Sequence, residues 1–164
     1  MSGNLWATDY IDKELIIMEV PYKKILVPVD GSSHALRALS HAATLARYLA
    51  AEISILYVSV LSQQVPLYDQ VKGAKIPPNA STDPANYAKT ILAEASKQVP
   101  ADIYVQTHNE LGEPRTAITD FATQNGYDII VIGCRGLGAI SGLLLGSVST
   151  YVLHHAPCPV LVIK

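Results

Sequence analysis

The chain has 164 residues, enough for one domain with a sizeable core, and 49% of them are apolar, which excludes a disordered chain. A net charge of −2 excludes a general attraction to nucleic acid or an anionic membrane surface. The apolar runs fall far short of the roughly 20 residues a spanning helix needs, no charged leader precedes an apolar stretch, and Cys134 and Cys158 form no metal or redox motif, so the reading is a cytoplasmic protein with reduced thiols.

Residues 1–21 are mixed and polar around a short apolar patch, Leu15 to Met18, and Pro21 closes them. They read as an N-terminal arm ahead of a domain over 22–164. Lys24-Ile-Leu-Val-Pro-Val29 reads as a buried strand ending in Asp30-Gly31-Ser32-Ser33, where the serines are good helix N-caps. Leu36, Leu39, Ala43, Ala46 and Leu49 recur at helical spacing and predict a helix over about 33–50. A second strand spans 53–58. A long connection with Pro66, Gly73, Pro77 and Pro78 leads to Asp83-Pro84, an N-cap followed by a proline at the first helical position. That helix runs over about 84–98. The alternation of Asp102 to His108 predicts the third strand, with His108 at its end bordering a crevice. Gly112-Glu113-Pro114 opens a helix over about 114–125 with Ile118, Phe121 and Ala122 inward. A fourth strand over 128–132, a helix over 147–155 and a strand over 159–164 complete the chain.

Strands alternating with helices imply a parallel sheet covered on both faces, and unbroken Val/Ile/Leu strands fit burial on both sides. In such sheets a ligand sits beyond the carboxyl ends of the strands where the strand order reverses. The stretch Gly133-x2-Gly136-x9-Gly146-Ser147 follows the fourth strand and opens the last helix. A glycine loop alone is often only a surface turn. Here it meets a helix N-terminus, whose free N–H groups and dipole suit a phosphate, and an acidic residue ends the first strand. Together these point to a nucleotide site. Asp30 has a local reading as a helix cap, but Ser32 and Ser33 can cap, leaving Asp30 for a ligand hydroxyl or amine.

The loop is no P-loop, because Gly146-Ser147 lacks the lysine. No lysine occurs between Lys97 and Lys164, and the cations of that span, histidines aside, are Arg115 and Arg135. Phosphates would therefore depend on backbone N–H groups, the Ser147 and Ser149 hydroxyls, Arg135, and a metal carried by the nucleotide. The histidines have no metal-ligand spacing. No nucleophile–base arrangement is visible, so no catalytic residue is assigned and at most a weak ATPase is expected.

The segments 24–32, Gly112-x-Pro114, Asp128 to Gly133, the glycine motif, and Pro157-Cys-Pro-Val-Leu-Val-Ile-Lys164 resemble the universal stress protein family over about residues 22–164. The resemblance implies an α/β three-layer sandwich with a five-stranded parallel sheet in the order 3-2-1-4-5, as in the adenine nucleotide alpha hydrolase-like group. It implies the family's ATP-binding branch, with a stress-response or signalling role. Pro28, Val29 and Asp30 would flank adenine and ribose, and Val58 would touch adenine. Ile132, Gly133, Arg135 and Gly136 would line ribose and phosphates. Gly146, Ser147, Val148 and Ser149 would hold the phosphate chain, with Mg2+ or Mn2+ bound through the nucleotide. In that strand order the apolar strand 159–164 lies at the sheet edge, which predicts a homodimer through it. Two other readings stand beside this one. The first is an ATP-using enzyme of the adenylating or pyrophosphatase group, whose Ser-Gly-Gly-x-Asp-Ser loop Asp30-Gly-Ser-Ser33 copies poorly. The second is an interaction module binding AMP or cyclic AMP.

Overall fold

The computed structural model describes residues 22–60, 83–138 and 144–164. The expected arm over 1–21, nearly all of the long connection before Asp83, and residues 139–143 of the glycine loop lie outside the described residues. Among these residues five strands and four helices alternate: β1 Lys24–Pro28, α1 Ser33–Leu49, β2 Glu52–Ser59, α2 Pro84–Ser96, β3 Val105–Leu111, α3 Pro114–Asn125, β4 Ile129–Gly133, α4 Ser147–His155 and β5 Val160–Ile163. The strands form one five-stranded sheet in the order β3-β2-β1-β4-β5, parallel at each junction.

Side chains of a strand alternate between faces, and this sorts the apolar runs into two cores. Ile25, Val27, Ile53, Ile55 and Val131 point to the face covered by α1 and α2, where Leu39 and Leu92 pack on them. Leu26, Leu56, Ile130 and Ile132 point to the opposite face and meet Ile118 and Phe121 of α3 and Val152 of α4. Ile25, Leu26, Ile53, Ile55, Leu56 and Ile130 are wholly buried. Each such side chain contributes about 1.5–3 kcal/mol relative to exposure, so the central strands carry much of the stability.

Local chemistry sets the helix ends. The Ser32 hydroxyl accepts from the Ala35 N–H at 3.2 Å and caps α1. Asp83 caps α2 through the Asn86 N–H at 3.1 Å, with Pro84 next in line. Glu113 caps α3 through the Thr116 N–H at 3.2 Å, with Pro114 in the same position. A side-chain carboxylate or hydroxyl at these places satisfies a donor that the helix leaves open. The start of α4 has Gly146 as its cap residue and no side-chain capping bond.

Most boundaries lie within two residues of the sequence reading. The exception is β3, which runs from Val105 to Leu111 rather than over 102–108. Its register is set by β2, with Ile53 opposite Val105 and Ser59 opposite Leu111. The apparent start of the alternation, Ile103, instead lies in a turn closed by its N–H to the Pro100 carbonyl at 3.1 Å. His108 is therefore mid-strand opposite Leu56, not at a strand end bordering the crevice, and its ring packs on Phe121 at 5.0 Å.

Candidate functional site

The strand order reverses between β1 and β4, which pair through Ile25–Ile129 and Leu26–Ile130. The connections leaving β1 and β4 therefore emerge side by side at one end of the sheet. The first carries Val29, Asp30, Gly31 and Ser32, and the second begins at Cys134 and ends at the N-terminus of α4.

The second connection is tied off at its base. The Gly146 N–H donates to the Cys134 carbonyl at 2.7 Å, and the buried Ser149 hydroxyl donates to the same oxygen at 2.8 Å, with the Gly146 carbonyl 3.0 Å away. The Cys134 N–H in turn donates to the Ile163 carbonyl at 2.7 Å. These bonds draw Arg135 and Gly136 beside the start of α4; a Cβ on Gly146 would stand 3.5 Å from the Arg135 Cα. Among the described residues no side chain caps the first-turn N–H groups at Ser147, Val148 and Ser149, which stand at the positive end of the helix dipole as donors for a ligand.

The two connections are also bonded to each other. One Asp30 oxygen accepts the Ser32 N–H at 2.9 Å, and the other accepts the Leu137 N–H at 2.9 Å. Ser32 Oγ lies 3.5 Å from the Arg135 carbonyl. The sequence reading reserved Asp30 for a ligand hydroxyl or amine; in the structure its carboxylate joins the two loops. Arg135 Nε is buried and has no hydrogen-bond partner. An unpaired guanidinium donor in a loop of glycines is suited to an anionic ligand, because burial without a partner is costly.

Other predicted residues divide by what they expose. Pro28, Val29, Val58 and Ile132 are buried, the last two in the core beneath α3 and α4. Val148 packs on that same core, whereas Ser147 and Gly136 are exposed. At Gly133 the missing side chain makes room for protein: a Cβ would stand 2.7 Å from the His34 carbonyl carbon in the first turn of α1.

Sequence reasoning missed Tyr87. It lies in the first half of α2, edge-on to Tyr57 at a ring separation of 6.0 Å. Its hydroxyl lies 4.0 Å from where a Gly31 Cβ would be. Burial pushes its phenol above the ordinary value, and the Asp30 charge pushes it further the same way. Tyr87 thus walls the Asp30 end of the crevice. The Asp83-Pro84 start did place its helix, but nothing in the sequence says which strand end that helix meets.

Among the described residues no group of three or more His, Cys, Asp and Glu side chains could hold a metal ion. No helix among them is long and apolar enough to cross a membrane. An open groove of about 600 Å³ at the far end of the sheet is lined by Lys23, Lys24, Arg47 and Asp102 among others. Its cations are already committed: Arg47 pairs with Asp102 at 2.8 Å, and the Lys23 and Lys24 ammonium groups donate to the Leu49 and Asn125 carbonyls.

A parallel α/β sheet with paired loops at its reversal point belongs to the open-sheet proteins that receive ligands there. Within that class the chain belongs to the Universal stress protein family, whose sequence model matches residues 21–164. It is 34% identical over 145 residues to a universal stress protein of Methanocaldococcus jannaschii, covering 87% of this chain and 82% of the relative. Its fold is similar to that of a universal stress protein of Lactobacillus plantarum, with a TM-score of 0.64, 29% identity and coverage of 87% and 98% of the two chains. It is also similar to the universal stress protein of Archaeoglobus fulgidus solved in complex with dAMP, with a TM-score of 0.58, 26% identity and coverage of 88% and 99%.

Proposed function

We propose that this protein binds an adenine nucleotide, ATP carried with a divalent cation, between the ends of β1 and β4, and acts in stress response or signalling as a homodimer. The observation that carries the reading is the uncapped N-terminus of α4, drawn against a loop in which Arg135 Nε has no partner. The open N–H groups of Ser147, Val148 and Ser149 would receive the phosphates. The exposed Ser147 hydroxyl would join them, while the Ser149 hydroxyl, turned onto Cys134, would keep the loop closed. Pro28, Val29, Val58 and Ile132 would meet adenine and ribose mainly through main chain, since their side chains are buried. A Mg2+ or Mn2+ ion would be held by the phosphates and would offset their charge. Hydrolysis would be slow or absent, because both oxygens of Asp30 are already engaged by backbone N–H groups of the two loops.

A second reading, a nucleoside monophosphate as the resident ligand, draws on the dAMP complex of the Archaeoglobus fulgidus relative. Mass spectrometry of the nucleotide retained through purification, followed by calorimetry with ATP and AMP in the presence of Mg2+, separates the two. ATP bound more tightly than AMP supports the first reading; the reverse order supports the second. Binding of neither overturns both.

A further inference from the structure

The glycine at position 136 has a specific neighbour. A Cβ built there would overlap Asp30 Oδ2 and stand 3.6 Å from Asp30 Cγ. That oxygen cannot simply swing aside. It accepts the Leu137 N–H at 2.9 Å, while its twin accepts the Ser32 N–H at 2.9 Å. Moving the carboxylate breaks at least one charge-assisted bond, and such bonds are about twice as strong as neutral ones.

We infer that Asp30 is a positioning residue that latches the loop after β4 to the loop after β1, and that residue 136 is glycine because of this latch. Among the described residues the hydrogen bonds that join them are the Asp30–Leu137 bond and the long Ser32–Arg135 approach of 3.5 Å. The Leu137 bond thus fixes the turn that presents Arg135 and Gly136 to the start of α4. Gly138, one residue past Leu137, has nothing within 4 Å of a built Cβ, so on the two sides of Leu137 the requirement for a missing side chain falls on the residue that faces Asp30.

The inference deepens the nucleotide reading, since a preset loop lowers the ordering cost of binding, but its structural half stands without a ligand. The test uses the full chain and the variants Asp30→Asn, Asp30→Ala, Gly136→Ala and the double variant Asp30→Ala/Gly136→Ala. Nitrogen–proton NMR of the nucleotide-free protein reads exchange of the Leu137 amide. Loss of a hydrogen bond to a charged group accelerates it about tenfold or more in Asp30→Ala and in Gly136→Ala. Calorimetry with Mg-ATP then shows weaker binding in each single variant, and the double variant is no weaker than Asp30→Ala alone, because the collision disappears with the carboxylate. Unchanged Leu137 exchange in Asp30→Ala overturns the latch even if ATP binds normally. An equal loss from Gly136→Ala with and without Asp30 shows that the glycine serves the ligand instead. Failure of the wild type to bind ATP, with the exchange effects intact, overturns the nucleotide reading and leaves the latch standing.

Discussion

Gly133, the last residue of β4, lies against the backbone of His34 in the first turn of α1, so close that a Cβ would stand 2.7 Å from the His34 carbonyl carbon and 2.9 Å from the Ala35 nitrogen. Neither neighbour can yield, because both are main chain, and the Ala35 N–H is held by Ser32 Oγ. Gly133→Ala is therefore expected to destabilise the fold by about 1–3 kcal/mol, the cost of overpacking a tight site. Gly138→Ala, with open space around it, should stay within about 0.5 kcal/mol. Urea denaturation midpoints of the two variants check the contrast.

The cap of α3 predicts an acid dependence. Burial pulls the Glu113 carboxyl upward, but hydrogen bonds from the Arg115 side chain and from the Thr116 and Arg115 backbone, with the Arg115 charge, outweigh it and leave the group below its ordinary value. A carboxyl depressed in the folded state stabilises above its unfolded pKa, about 4.3 for glutamate, and that contribution disappears as pH falls through the depressed folded value. Wild type should thus exceed Glu113→Gln in melting temperature at neutral pH, with the gap closing in strong acid. A gap that widens toward acid would reverse the assigned sign.

The scarcity of cations predicts a dependence on metal. ATP affinity should fall when divalent ions are chelated, and Arg135→Ala should weaken it about tenfold further, the loss of a hydrogen bond between charged groups. Calorimetry with and without chelator reads both effects. Affinity indifferent to both changes would assign the phosphates to backbone N–H groups alone.

The proposed dimer has a sharper test in the structure than in the sequence. β5 lies at the sheet edge, paired with β4. Val160 and Val162 pack on the core under α3 and α4, whereas Leu161 is 37% exposed. Leu161→Asp should accordingly release monomers without damaging the core, and Val162→Asp would confound dissociation with unfolding. Sedimentation at micromolar concentration should show dimeric wild type and monomeric Leu161→Asp; a monomeric wild type contradicts the interface.

The central strands were legible because burial on both faces leaves an unbroken apolar signature, as in Ile129 to Ile132. The serine cap of α1 and the Asp-Pro start of α2 were legible because each acts within three residues. β3 was misplaced because it is an edge strand with mostly exposed side chains, so its ends follow pairing with β2 rather than its own pattern. The Asp30–Leu137 bond spans 107 positions, and Tyr87 reaches the crevice from a different helix. Such contacts depend on how layers stack, and no local spacing encodes them. The glycines at 133 and 136 were visible as a motif, but their neighbours, a helix backbone and a carboxylate, appear only in three dimensions.

Amide-resolved NMR during titration with Mg-ATP tests the nucleotide site most directly. The account predicts that the largest shifts fall on Arg135, Gly136 and the Ser147, Val148 and Ser149 N–H groups at the open start of α4, with smaller ones at Val29 and Asp30. Saturable shifts confined to the opposite end of the sheet, around Arg47 and Asp102, or no shifts at millimolar nucleotide, would contradict it.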